Sequence, residues 1–240
     1  MSILTILGFG PTGWGGLLLV ALLTTLAVTL VSLVIGAVIG TALAAAKLSG
    51  SRLLRLLGGT YSTVFRGVPE LLVIYLVYFG GSSAVTAIGG AFGYEGFLGL
   101  PSFLAGALAV GLISGAYQGE VYRGAFLAIV PGEIEAARAI GMNKAMRLRR
   151  ILVPQVLRFA LPGLGNVWQL SLKDSALVSV TGLAEIMRTS QVAAGSTRQY
   201  FLFYIVGGVL FLLLTSVSGQ IFEAAEKRTG RSLAAGIGRN

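Results

Sequence analysis

Apolar residues run along this chain in long blocks separated by short polar or basic stretches, and the length of the blocks is the first clue to the solvent they face. A helix rises 1.5 Å per residue, so a hydrocarbon core about 30 Å thick requires about 20 predominantly apolar residues. Five blocks meet that requirement, at residues 17–46, 53–79, 103–128, 157–180 and 201–222, the fourth being the least apolar. The pattern predicts an all-α integral membrane protein with a single transmembrane domain over residues 1–240. Within the first block Gly36 and Gly40 form a small-x-x-x-small face suited to close helix packing. Between the second and third blocks, Gly89, Gly90 and Gly93 read as loop punctuation.

Charge orients these blocks. The connection after the first carries Lys47, Arg52 and Arg55, and the connection after the third carries Arg138, Lys144, Arg147, Arg149, Arg150 and Arg158. Beyond the fifth come Lys227, Arg228, Arg231 and Arg239. The stretch 80–101 holds only Glu95, and the connection after the fourth block holds Glu185, Arg188 and Arg198. Positive-inside bias therefore places the N-terminus outside and the C-terminus in the cytoplasm, which an odd number of crossings requires. The first apolar block is too long for a cleaved signal peptide and has no basic leader before it, so it is expected to stay as an anchor.

Composition narrows the function. An apolar share of 55% with 11% charged residues exceeds what a soluble surface tolerates. The excess of 18 Lys and Arg over nine Asp and Glu is clustered between spans, so it signals topology rather than nucleic-acid binding. The chain has neither cysteine nor histidine. Disulfides and thiolate sites are excluded, and the commonest metal ligand and general base is missing, which argues against an ordinary hydrolase. An intramembrane enzyme would have to rest on Ser175 beside Lys173 and Asp174, a slight arrangement.

The longest basic connection reads Pro131 to Pro154. Proline at its start, acids in the first turn and Gly141 at its end predict a short helix over about 131–141. Asn143 then caps a second helix running to Pro154. Such a helix pair at a membrane face is a docking surface: Ala136 and Ala137 admit close approach, and the following cations meet lipid phosphate or an acidic partner. The segment carries Glu135-Ala136-Ala137, three residues, Gly141, nine residues, and Ile151-x-x-Pro154. In this the chain resembles permease subunits of ATP-binding cassette importers. Arg66-Gly-Val-Pro-Glu70, 116–126, 161–166 and 172–179 extend the likeness to the polar amino-acid branch, near histidine, lysine/arginine/ornithine and opine systems.

The resemblance implies a type I importer permease whose coupling residues are Glu135, Ala136, Ala137, Gly141, Ile151 and Pro154. It also implies two cytoplasmic ATPase subunits that hold the ATP and magnesium, a second similar or identical permease subunit and an extracytoplasmic solute-binding protein. The setting is the inner membrane of a bacterium, and no nucleic acid is involved. The chain itself has no Gly-x-x-x-x-Gly-Lys-Ser/Thr phosphate loop and is expected to bind no cofactor and catalyse nothing alone. The solute implied is a polar, basic amino acid or derivative. A stand-alone channel or secondary transporter is the alternative, although five spans do not divide into two inverted halves.

Charges inside apolar blocks need partners or a task. Candidates for a substrate pathway are Glu70, Glu120, Arg66, Lys173 and Asp174. Arg66 and Glu70 are four residues apart, and Glu120 and Arg123 three, so helical spacing also allows each acid to be neutralised within its own helix. Tyr75, Tyr78 and Tyr117 read either as interfacial anchors or as pathway lining.

Overall fold

The computed structural model describes residues 3–237. After a short helix, α1 (Ile3–Leu7), the long α2 (Gly15–Leu48) leads into α3 (Arg52–Gly67) and α4 (Glu70–Ala91). Then come α5 (Ser102–Leu127), the short α6 (Pro131–Ala139) and α7, which runs over 144–177 and ends in a 3-10 turn. The chain closes with α8 (Ile186–Thr197) and α9 (Tyr200–Ile237). Arg239 lies outside the described residues, as does the side chain of Arg231.

The centre of the fold is the contact of α2 with α5, and small residues make it possible. A methyl group on Gly40 would stand 2.9 Å from the Gly119 nitrogen, and one on Gly115 would stand 2.8 Å from Ile39. One on Gly36 would stand closer still, 2.5 Å from Gln118 Nε2 and nearer yet to Ser114 Oγ. The face predicted for Gly36 and Gly40 thus has glycines opposite it, and the two backbones meet. In lipid, where apolar side chains gain little by leaving the solvent, such close packing and interhelical hydrogen bonds hold helices together. Ser114 Oγ donates to the Ser32 carbonyl at 3.3 Å, and Gln118 Nε2 to the Leu33 carbonyl at 3.1 Å. The buried hydroxyls of Thr25, Thr29 and Ser32 donate to carbonyls four residues back in α2, so none is left unsatisfied.

Two boundaries differ from expectation. The block 53–79 is not one helix. Val68 is extended (φ −89°, ψ 138°) because the ring of Pro69 disfavours helical geometry in the residue before it, and a new helix starts at Glu70. That helix continues through the glycines at 80, 81, 89 and 90 to Ala91, so the connection shrinks to 92–101. A helix satisfies its own backbone groups where water is absent, and this outweighs the roughly 1 kcal/mol that each glycine costs. The second difference is at Pro154, which does not end a helix. A widened π turn at Leu148–Leu152 precedes it, relieving the clash of the ring with the preceding turn, and α7 runs on.

Among the described residues four helices are long and apolar enough to cross a membrane: Gly15–Leu48, Glu70–Ala91, Ser102–Leu127 and Tyr200–Thr229. The fourth expected span falls in α7, which packs against α5, α2 and α9 but carries Arg158, Asn166, Lys173 and Asp174 and is too polar to qualify by composition.

Candidate functional site

The motif segment forms as its sequence dictates. Pro131 occupies the first position of α6, where a missing N–H costs nothing, and Glu133 sits in the first turn, where the helix dipole favours an acid. The far end is closed by the Met142 N–H on the Ala137 carbonyl and the Gly141 N–H on the Arg138 carbonyl, both 3.0 Å. Gly141 adopts φ 79°, a left-handed conformation that glycine reaches without strain. Ala137 is buried against the rest of the chain, whereas Glu135, Ala136 and Ile140 point outward, Ile140 being 78% exposed. Ile151 is half-buried in the π turn and Pro154 is exposed just beyond it. The Gln155 amide donates to the Glu133 carboxylate and ties α6 to the first turns of α7. A partner gripping the outer face of α6 would therefore hold α7 as well.

The five candidate pathway residues separate into two groups. Glu120 is one centre: Arg123 Nε donates to it at 2.9 Å, as the i,i+3 spacing predicts, and Lys47 pairs with its other oxygen. Lys47 also donates to Ser62 Oγ at 2.7 Å, so one carboxylate gathers α2, α3 and α5. Arg66 does not pair with Glu70, because the break at Val68–Pro69 takes the two residues off a common helix face. Its guanidinium lies 5.3 Å from the ring centre of Tyr117, a cation–π contact. Lys47, Ser62, Thr63, Arg66, Tyr117 and Glu120 border an open polar cavity of about 400 Å³.

Glu70, Lys173 and Asp174 form the other group, close enough for their charges to interact. None of the three makes an ion pair within 4 Å among the described residues. Their depth follows from Ile74 and Val178, one turn beyond Glu70 and Asp174, which pack on Ala109 and Val110 of α5. This group therefore lies near the middle of α5. Glu120 is about 10 Å further along, toward the α6 end, at 1.5 Å per residue.

Glu185 has a different role from that of a charge in a connecting loop. It is fully buried at the start of α8 and accepts from the backbone N–H groups of Met187 (2.9 Å) and Arg188 (2.6 Å), while Ile186 N–H donates to Thr25 Oγ1 at 3.2 Å. Burial pushes its carboxyl up to about 7, against the opposing pull of the two backbone N–H groups. No local pattern marks this residue, since glutamate is not among the preferred capping residues. Lys47 is equally hidden in the sequence, being indistinguishable from the topology charges beside it.

An all-α membrane core with an exposed, tightly closed helix beside one end of its spans has the form of a transmembrane subunit with a surface free for a partner. Residues 36–231 match the family described as the binding-protein-dependent transport system inner membrane component, and the chain belongs to that family. It is 53% identical over 232 residues to the octopine transport system permease protein OccQ of Agrobacterium tumefaciens (strain Ach5), covering 97% of this chain and 98% of that one. It is 40% identical to the histidine/lysine/arginine/ornithine transport system permease protein HisQ of Escherichia coli (strain K12), covering 90% and 94%. A crystal structure of an amino acid ABC transporter with histidines superposes with TM-score 0.74 at 32% identity, covering 90% and 95%. The chain is a permease subunit of an ATP-binding cassette transport system.

Proposed function

We propose that this subunit imports a basic amino acid or an opine-type derivative across a bacterial inner membrane. Its N-terminus is outside, its C-terminus is cytoplasmic, and α7 supplies the fifth crossing. Two such permease subunits enclose the pathway, two cytoplasmic ATPases hold ATP and magnesium, and an extracytoplasmic binding protein delivers the solute. The chain has no chemistry of its own; it alternates between inward-open and outward-open states that the ATPases bias. Glu70, Asp174 and Lys173 meet the zwitterionic solute near mid-bilayer, where transporters commonly bind.

The observation that carries this reading is the outer face of α6. Glu135, Ala136 and Ile140 are free for a partner, and Gly141 and the Gln155–Glu133 bond make the helix a rigid handle. The solute class rests on the octopine and histidine/lysine/arginine/ornithine systems of the relatives and on the two unpaired carboxylates. In liposomes loaded with ATP and carrying the whole complex, uptake of labelled arginine requires the binding protein. Glu135→Lys lowers that uptake about thirtyfold or more, the scale of an interface hot spot, while the chain still inserts. Normal uptake in the variant removes α6 from the coupling path, and ATP-independent flux by this chain alone sinks the importer reading.

A further inference from the structure

A second cavity lies where the last two turns of α2, the end of α5 and the start of α7 meet. It measures about 460 Å³, and Ala44, Ala45, Leu48, Phe126, Leu152 and Val156 make its walls apolar. Two polar side chains reach it, and both hydroxyl hydrogens are committed elsewhere: Thr41 donates to the Ala37 carbonyl at 2.7 Å and Tyr122 to Gln118 at 2.9 Å. A polar ligand would lose its hydration and gain little in return, whereas a hydrocarbon chain is at home there.

The mouth of the groove has the opposite character. Leu148, Leu152 and Val156 form one stripe on α7, and Lys144 stands four residues before Leu148, on the same face one turn outward. Arg147 and Arg149 flank the stripe on its two sides, beside and in the π turn, while Arg150, two residues from both Leu148 and Leu152, faces away from it. Among the described residues none of these four cations forms an ion pair with a carboxylate. A second permease subunit would not complement them, because its own inward loops follow the same positive bias and would bring like charge to this level.

We infer that this groove seats one anionic phospholipid of the cytoplasmic leaflet, its acyl chain between α2, α5 and α7 and its phosphate among Lys144, Arg147 and Arg149. The assignment rests on the orientation proposed above, which places this end of the molecule inside.

The test is native mass spectrometry of the delipidated whole complex, titrated with phosphatidylglycerol or phosphatidylcholine. The parent prefers phosphatidylglycerol, and the Lys144→Gln/Arg147→Gln/Arg149→Gln variant lowers that preference on the order of a hundredfold, whereas Arg150→Gln changes it little. Ala45→Trp fills the groove and loses both lipids, while ATP-driven uptake in that variant reports separately on the importer reading. An unchanged preference in the triple variant, or lipid retention undiminished in Ala45→Trp, overturns the proposal. So does a photoreactive group attached to the thiol of Ala45→Cys, in a chain that has no other cysteine, if it labels the second permease subunit instead of phosphatidylglycerol.

Discussion

Glu70 and Glu120 are both acids within apolar helices, each with basic residues nearby in the sequence, yet their surroundings differ. Around Glu120, Lys47 and Arg123 take one carboxylate oxygen each, Ser62 takes a further proton of Lys47, and Arg66 rests on Tyr117. Around Glu70, about 10 Å away by the rise of α5, a second acid and one lysine stand near one another without an ion pair. The first group has used its hydrogen-bonding capacity to join three helices. The second keeps its hydrogen-bonding capacity, as a site for a solute must. A charge in a membrane helix is thus informative only together with what already satisfies it.

The largest effect should come from breaking the satisfied group. Glu120→Ala leaves Lys47, whose side chain is 11% exposed, without its carboxylate. The cost should be about 2–3 kcal/mol, below the 3–5 of a fully buried pair because Glu120 retains some solvent contact. It appears as a lower thermal midpoint of the solubilised complex, and uptake should fall only as far as intact protein is lost. Lys47→Met combined with Glu120→Leu should recover most of the midpoint, since apolar replacement of a whole pair is often neutral. An unchanged midpoint with abolished uptake would move Glu120 into the solute site.

A smaller and different effect is expected at Glu70. Glu70→Gln removes a charged hydrogen-bond partner that contributes about 1.5–3 kcal/mol, so the arginine concentration for half-maximal uptake rises about ten- to a hundredfold. The thermal midpoint stays where it was, and uptake of any uncharged solute the complex accepts is affected less. A drop in midpoint without a change in concentration dependence would make Glu70 structural and erase the contrast with Glu120.

Much of this was legible in the sequence, for physical reasons that can be named. Apolar block length located three of the four helices long enough and apolar enough to cross a membrane, and proline, glycine and asparagine at fixed offsets outlined the α6 turn, because each acts within a few residues of itself. The Glu120–Arg123 pair was legible by the same local rule. The false pair of Arg66 with Glu70 shows the limit, since i,i+4 spacing holds only if the helix is unbroken and Pro69 breaks it. Lys47 reaching Glu120 from 73 residues away depends on the glycine contact of α2 with α5. Spacing revealed half of that contact, at Gly36 and Gly40, but not its register.

A third carboxylate sharpens the contrast, because Glu185 is fully buried and forms no ion pair among the described residues. Its folded value near 7 stands above the ordinary 4.5, and it lies between α7 and α9, outside the spanning helices. Between those two values the folded chain holds a proton that the unfolded chain has released, so unfolding loses a proton and stability falls as pH rises. The contribution is complete below about pH 4.5, declines toward pH 7 and is gone above it. Its size is about 1–3 kcal/mol, taking about 1.36 kcal/mol for each tenfold change in proton affinity as an upper scale. Glu185→Gln cannot titrate and keeps one oxygen for the N–H groups of Met187 and Arg188. Thermal midpoints measured from pH 5 to pH 8 should therefore slope down more steeply in the parent than in the variant, with the variant the less stable at pH 5. Parallel curves would mean that the carboxyl is already ionised in the fold and that the backbone N–H groups outweigh the cost of its burial.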